Sequence, residues 1–153
     1  MKKQILLPRA VLRELRETFK VHQVVLDRAL KYERNSRRDN MLRKAALQRG
    51  GVIYLGIKAP TNYLPDVETT FNTGYMRQKF GSDIEVILDL NSNKAIIEIY
   101  KQPVASFSDC TVETWGNMLY SLQQIYNKLN SLHPASTAEA KPIEAEVRTT
   151  SQQ

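Results

Sequence analysis

The chain has 153 residues, 42% of them hydrophobic and 25% charged, the balance of a soluble globular protein with room for one ordinary domain or two small ones. No run of about 18 apolar residues occurs, which excludes a transmembrane helix, and a single cysteine, Cys110, excludes an internal disulfide and a multi-thiolate zinc site. The net charge of +6 is unevenly placed: residues 1–50 carry 14 basic and 5 acidic side chains, whereas residues 51–130 carry 6 and 8. A basic first third on a mildly acidic remainder is the electrostatic footprint of a nucleic-acid-facing module attached to a part with another task. The opening stretch, Met1-Lys2-Lys3-Gln4-Ile5-Leu6-Leu7-Pro8-Arg9, lacks the apolar core of a signal peptide, so the expected compartment is the cytoplasm.

Residues 9–49 read as three short helices. Pro8 suits a first helical position, where its missing N–H has no partner to lose. Leu12, Leu15 and Phe19 recur at helical spacing. A second apolar set, Val21, Val25, Leu26, Ala29 and Leu30, begins two residues later, which requires a tight turn. Asn35-Ser36 caps a third helix whose apolar face is Leu42, Ala45 and Ala46, with Asp39 three residues beyond Ser36 as in a capping box. Gly50-Gly51 ends it.

Beyond Gly51 the period changes to two. Residues 52–55 form a short strand candidate, followed by a loop with Pro60 and Pro65. A strand is expected around residues 71–80, closed by Gly81-Ser82. Residues 84–100 read as a hairpin turning at Asn91-Ser92-Asn93, and residues 104–107 as a further strand. From Thr111 the helical period returns through Trp115, Leu119, Leu122, Tyr126 and Leu129. The composition from Ser131 onward, Ala, Ser, Thr, Glu, Pro and Gln, is that of a disordered tail.

The expected fold is therefore α+β: a three-helix bundle over residues 1–51, then a small antiparallel meander with a C-terminal helix over 52–130, then the tail, 131–153. The stripe Trp115, Leu119, Leu122, Tyr126 and Leu129 is spaced 4, 3, 4, 3. It can cover the segment's own sheet or serve as a dimer seam, and these five residues are the dimerisation candidates.

The stretch Phe19-Lys20-Val21-His22-Gln23-Val24-Val25-Leu26-Asp27-Arg28-Ala29-Leu30 resembles the centre of the helix-turn-helix in lac-repressor-like and phage-repressor-like DNA-binding proteins, whose pattern is Phe-Gly-Val-Ser-x-x-Thr-Val-Ser-Arg-Ala-Leu. Phe19, Val21, Arg28, Ala29 and Leu30 match it, and Leu26 is a conservative replacement. The likeness covers residues 8–50. Four positions depart: Lys20 stands for the turn glycine, His22 for the capping Ser, Val25 for the Thr, and Asp27 for the second Ser, a carboxylate where the helix approaches DNA. The resemblance implies buried Leu15, Phe19, Val21, Leu26 and Ala29, and a recognition helix entering the major groove of double-stranded DNA.

On that reading His22, Gln23, Val24, Asp27 and Arg28 face bases. Gln23 suits adenine, Arg28 a guanine or a phosphate, Val24 a thymine methyl and Asp27 a cytosine amino group. Lys20, Lys31, Arg34, Arg37, Arg38, Arg43 and Lys44 are the phosphate candidates. Arg28 has the alternative of pairing with Glu14 or Glu17 on the preceding helix.

The function expected is that of a sequence-specific, repressor-like regulator, acting as a homodimer without cofactor or metal in a bacterial, phage or mobile-element system. The alternatives are a non-specific nucleic-acid-binding accessory protein, or a ribbon-helix-helix binder whose ribbon comes from residues 2–7. No enzyme activity is expected. The only histidines are His22 and His133, neither with a partner for nucleophilic catalysis. Cys110 sits near a helix start, where its thiol pKa could be lowered. Glu85 and Asp89, which tempt a metal-nuclease reading, alternate outward on a strand.

Overall fold

The structure is a computed structural model that describes residues 2–132. It has the expected α+β arrangement: three N-terminal helices, a five-stranded antiparallel sheet and a C-terminal helix. Strand β1 (Gln4–Leu6) precedes helices α1 (Arg9–Phe19), α2 (Gln23–Leu30) and α3 (Arg37–Gln48), and strand β2 (Val52–Tyr54) follows them. Pro8 lies one position outside α1 with an extended backbone; its carbonyl accepts from the Leu12 N–H at 3.1 Å. Leu15, Val21, Leu26, Ala29, Leu42 and Ala46 form the core of the bundle, with Phe19 half-buried at its edge.

β1 and β2 pair antiparallel, Ile5 opposite Ile53 and Leu6 opposite Val52. Successive side chains of a strand point to opposite faces. Ile5, Leu7 and Ile53 therefore enter the helical core, while Leu6, Val52 and Tyr54 enter the core of the second half. The boundary expected at Gly51 is thus displaced, because β2 completes the ribbon begun by β1. Gly51 itself has no room for a side chain: a Cβ there would stand 2.8 Å from both the Ala46 carbonyl oxygen and Ile5 Cγ2. The strand that the ribbon-helix-helix alternative draws from residues 2–7 pairs here on one edge with β2 of its own chain, and a third helix packs on it.

The sheet is a meander of β3 (Glu68–Asn72), β4 (Tyr75–Phe80), β5 (Ile84–Asp89), β6 (Lys94–Ile99) and β7 (Gln102–Phe107), in that spatial order. The strand expected around 71–80 is two, because Thr73-Gly74 turns the chain and Gly74 takes a φ of +76°. Helix α4 (Val112–Leu132) covers one sheet face, packing Met118, Leu119, Leu122 and Ile125 over Phe80, Ile84, Val86, Ile97 and Ile99. Leu119 and Leu122 are 4% and 0% exposed, and Trp115, Tyr126 and Leu129 pack on the same core. Of the two roles open to these five residues, the stripe takes that of covering its own sheet, with Trp115, Tyr126 and Leu129 left half-buried at its margin.

The loop between β2 and β3 is strapped across α4. The Ala59 N–H donates to Asn117 Oδ1 at 2.8 Å, the Asp66 N–H to Gln123 Oε1 at 3.2 Å, and Tyr63 meets Tyr120 edge-on at 4.9 Å. On the outer sheet face Glu85 pairs with Arg77 at 2.8 Å, and Asp89 accepts from Ser92 Oγ at 2.7 Å in the following turn. Both acids thus have structural partners. Burial pushes the Cys110 thiol up, the opposite of the shift its place near a helix start suggested. The tail expectation touches the described residues only at Ser131 and Leu132, which are helical; the rest of it lies outside them.

Because Leu6 is buried between the two halves, Leu6→Ala is expected to lower stability by about 2–5 kcal/mol. Urea unfolding read by Trp115 fluorescence and by far-UV dichroism should then still show one coincident transition. Two separated transitions would mean that the halves fold independently of the ribbon.

Candidate nucleic-acid interface

Helices α1 and α2 are joined through Lys20, Val21 and His22. Lys20 is left-handed, with φ 49° and ψ 49°, and its N–H closes α1 on the Arg16 carbonyl. A side chain in this region costs about 1 kcal/mol relative to glycine. Val21 next to it is buried and anchors the turn. His22 takes the N-cap of α2: its Nδ1 accepts from the Val24 N–H at 3.4 Å. Accepting there leaves the proton of the neutral ring on Nε2. The imidazole thus replaces the hydroxyl cap that the sequence lacks at this position.

The N-terminal turns of α2 are open. His22, Gln23, Val24 and Arg28 are exposed, and Val24, 49% exposed, is an aliphatic side chain that the fold leaves in solvent. Val24 and Arg28 lie four residues apart on one face. Asp27 is half-buried and turned toward α1, where it lines a cleft with Gln23, Arg9, Arg13 and Arg16. Neither Glu14 nor Glu17 holds Arg28, which makes no ion pair among the described residues; Glu14 instead accepts from Arg49 Nε at 2.8 Å.

The sequence reading missed the basic face of α1. Arg9, Arg13, Arg16 and Lys20 stand four, three and four residues apart, so they form one row along the helix. Arg13, Arg16 and Lys20 continue the cleft past Glu17 to His22. The spacing was the available signal. Like charges at three- and four-residue spacing destabilise a helix by a few tenths of a kcal/mol per pair, so this row works against α1 unless an anion relieves it.

The phosphate candidates divide. Lys20, Arg37, Arg38 and Lys44 are exposed. Arg38 Nη2 reaches the Phe19 carbonyl at 3.5 Å, which sets the start of α3 beside the turn and its Lys20. Arg34 leans on Asp39 at 3.8 Å. Lys31 is exposed but lines a cavity that reaches strand β7 of the sheet.

Arg43 is a correction. It is 6% exposed, and its guanidinium donates to the Ala29 and Arg34 carbonyls, each at 2.8 Å, and to the side-chain oxygens of Asn35 and Asn40. It also lies 4.7 Å from the centre of the Tyr32 ring, with Lys3 Nζ at 4.5 Å. Arg43 holds the link between α2 and α3 and is not available to a phosphate. Tyr32 in this link is left-handed (φ 56°), and while the Lys31, Tyr32 and Glu33 amides bond back to α2, Arg43 adds the tie from α3.

Asp39 closes the capping box of α3. The Ser36 hydroxyl, at 2.6 Å from its carboxylate, is the main cause that holds the carboxyl below its ordinary value. Burial opposes this, and the Ser36 N–H, Arg34 and Arg43 add to the lowering. The unfolded chain, with its value near 3.8, therefore binds the proton more tightly than the folded one. The contribution of the box is complete at neutral pH and is lost as the pH falls through 3.8 toward the lower native value. Asp39→Asn should flatten this part of the acid limb in urea midpoints measured against pH; an unchanged limb would place the acid sensitivity elsewhere.

Arg43→Ala is expected to destabilise by about 2–4 kcal/mol, because it removes a buried side chain together with its hydrogen bonds to four acceptors across the link. Its thermal midpoint should drop, while any nucleic acid binding by the folded fraction keeps its salt dependence. Comparison with protein-family models, curated proteins and solved structures returns no match for this chain.

Proposed function

We propose that this chain is a sequence-specific, repressor-like DNA-binding regulator that binds a two-fold operator as a dimer, in the cytoplasm of a bacterial, phage or mobile-element host. The observation that carries the reading is the junction at Lys20. A left-handed turn joins two short helices, the second presents an open N-terminus, and a row of positive charge on the first, without ion pairs among the described residues, runs up to it.

In this reading α1, the turn and α2 are a helix-turn-helix. The N-terminus of α2 enters the major groove, where Gln23 pairs with adenine, Arg28 with guanine and Val24 touches a thymine methyl. Arg9, Arg13, Arg16, Lys20 and Arg38 meet phosphates and fix the angle of α2 without reading sequence. Occupancy of the operator, with no chemical step, regulates access by polymerase.

The test is selection of bound duplexes from a random pool by the full chain. Recovery of a palindrome, with half-sites about one helical turn apart, is the expected result. Binding without any recovered motif, disappearing between low and moderate salt, would transfer the chain to non-specific attachment. Two substitutions separate the roles. Arg28→Ala should cost about 1–3 kcal/mol and relax choice at one base pair, whereas Arg13→Ala should weaken all sequences alike and reduce the salt slope by about one.

A further inference from the structure

Among the described residues β1 and β7 each have one ladder partner, β2 and β6 respectively, so each keeps a free edge there. Both edges open on one cavity of about 540 Å³. Four consecutive residues of each strand region line it, residues 4–7 on one side and 104–107 on the other. Neighbouring side chains of a strand point to opposite faces, so a cavity touched by all four borders the edge of the strand and not a face. Neither β2 nor β6 contributes to its lining, which places it on the unpaired side of both strands.

The two edges also share a layer. Leu6 on β1 and Ala105 and Phe107 on β7 belong to the same core under α4. Ile5, Leu6 and Leu7 are between 2% and 4% exposed, yet among the described residues their outer edge makes no backbone hydrogen bond. Backbone groups shielded from water without partners are costly, so such an edge favours a partner. The gap between β1 and β7 thus has the form of a missing strand.

We propose that this slot takes residues 143–149 of the same chain as an added β-strand, joining the two sheets through β1 and β7. Ile143 and Val147 are the only large aliphatic residues after Leu132. Ile143, Ala145 and Val147 alternate with Glu144, Glu146 and Arg148, the period of a strand with one apolar face, and Pro142 stands where such a strand would begin. The apolar face suits the shared core. The polar face suits the mixed charges of the slot, Lys2 and Lys31 with Asp27 and Glu33. Leu132 lines an open cleft together with Val52 and Ile53 of β2, and the ten residues from 133 to 142 span up to about 33–36 Å, which reaches across a two-stranded ribbon. Asp27, Leu30 and Lys31 of α2 line the slot, so its occupant touches the helix that carries Gln23. The inference does not depend on what α2 binds.

Hydrogen exchange of the full chain, resolved by peptides, tests it. Amides of 143–149 are expected to exchange about tenfold or more slowly than an unstructured segment, and Ile143→Asp/Val147→Asp should abolish that protection and speed exchange at β7. Both substitutions lie outside the described fold, so exchange in α3 and β5 should not move. Unprotected amides in 143–149, or β7 exchange indifferent to the double substitution, would overturn the proposal in favour of a water-filled cleft. Protection confined to a dimeric species in sedimentation would overturn the same-chain placement and assign the slot to the segment of a second copy.

Discussion

A ribbon of two three-residue strands joins everything else in this molecule. β1 and β2 are too short to be stable alone, and neither half of the chain closes its core without them. Ile5, Leu7 and Ile53 fill the helical bundle, while Leu6, Val52 and Tyr54 fill the space beneath α4. The alternation of a strand makes this double use possible: one peptide segment presents apolar groups to two cores on opposite sides. Burial raises the pKa of the Tyr54 hydroxyl, as expected for a polar tip drawn into apolar surroundings, with Ser121 opposing part of the shift. Domain separation of the usual kind, with a solvated linker between independent cores, is absent from this part of the chain.

The ribbon also decides what the basic segment can do. By fixing both ends of the three-helix unit it holds α1, α2 and α3 in one arrangement despite their lengths of 11, 8 and 12 residues. Helices this short have little stability in isolation. Within the arrangement, positive charge is sorted by role. Arg43 is turned inward to satisfy carbonyl and amide oxygens at the α2–α3 link, Arg49 pairs with Glu14, and Arg34 leans on the capping carboxylate of Asp39. Arg9, Arg13, Arg16 and Lys20 have no such partner among the described residues, and they run along the cleft that leads to the N-terminus of α2.

Most of the elements were legible from local pattern. Leu12, Leu15 and Phe19, the Ser36 and Asp39 pair, and the alternation from Ile84 to Ile99 each carry their own period or cap, and the helices and strands stand where these signals place them. Less was legible at the candidate site. Arg43 looks like its neighbours Arg38 and Lys44 in sequence, and only the position of the Ala29 and Arg34 carbonyls across the link turns it inward. Asp27 looks like a member of the outer face of α2, but it is half-buried beside α1 and β1. The row on α1 was readable from its spacing, though nothing in the spacing says that the row borders His22 and Gln23.

What the sequence by itself determined is local: the three short helices, the tight turn after Phe19, the hairpin at Asn91-Ser92-Asn93, the long C-terminal helix and the concentration of positive charge in the first third. Each follows from residues within a few positions of one another, through hydrophobic period, capping or turn chemistry. What only the tertiary structure decided is long-range. Pairing of residues 4–6 with 52–54, the seating of α4 on its own sheet, the inward turn of Arg43 and the facing free edges of β1 and β7 all join segments far apart in the chain. A hydrophobic stripe specifies that a face must be covered but not by what, and an arginine specifies a charge but not which acceptors surround it. Those choices belong to the packing of the whole chain.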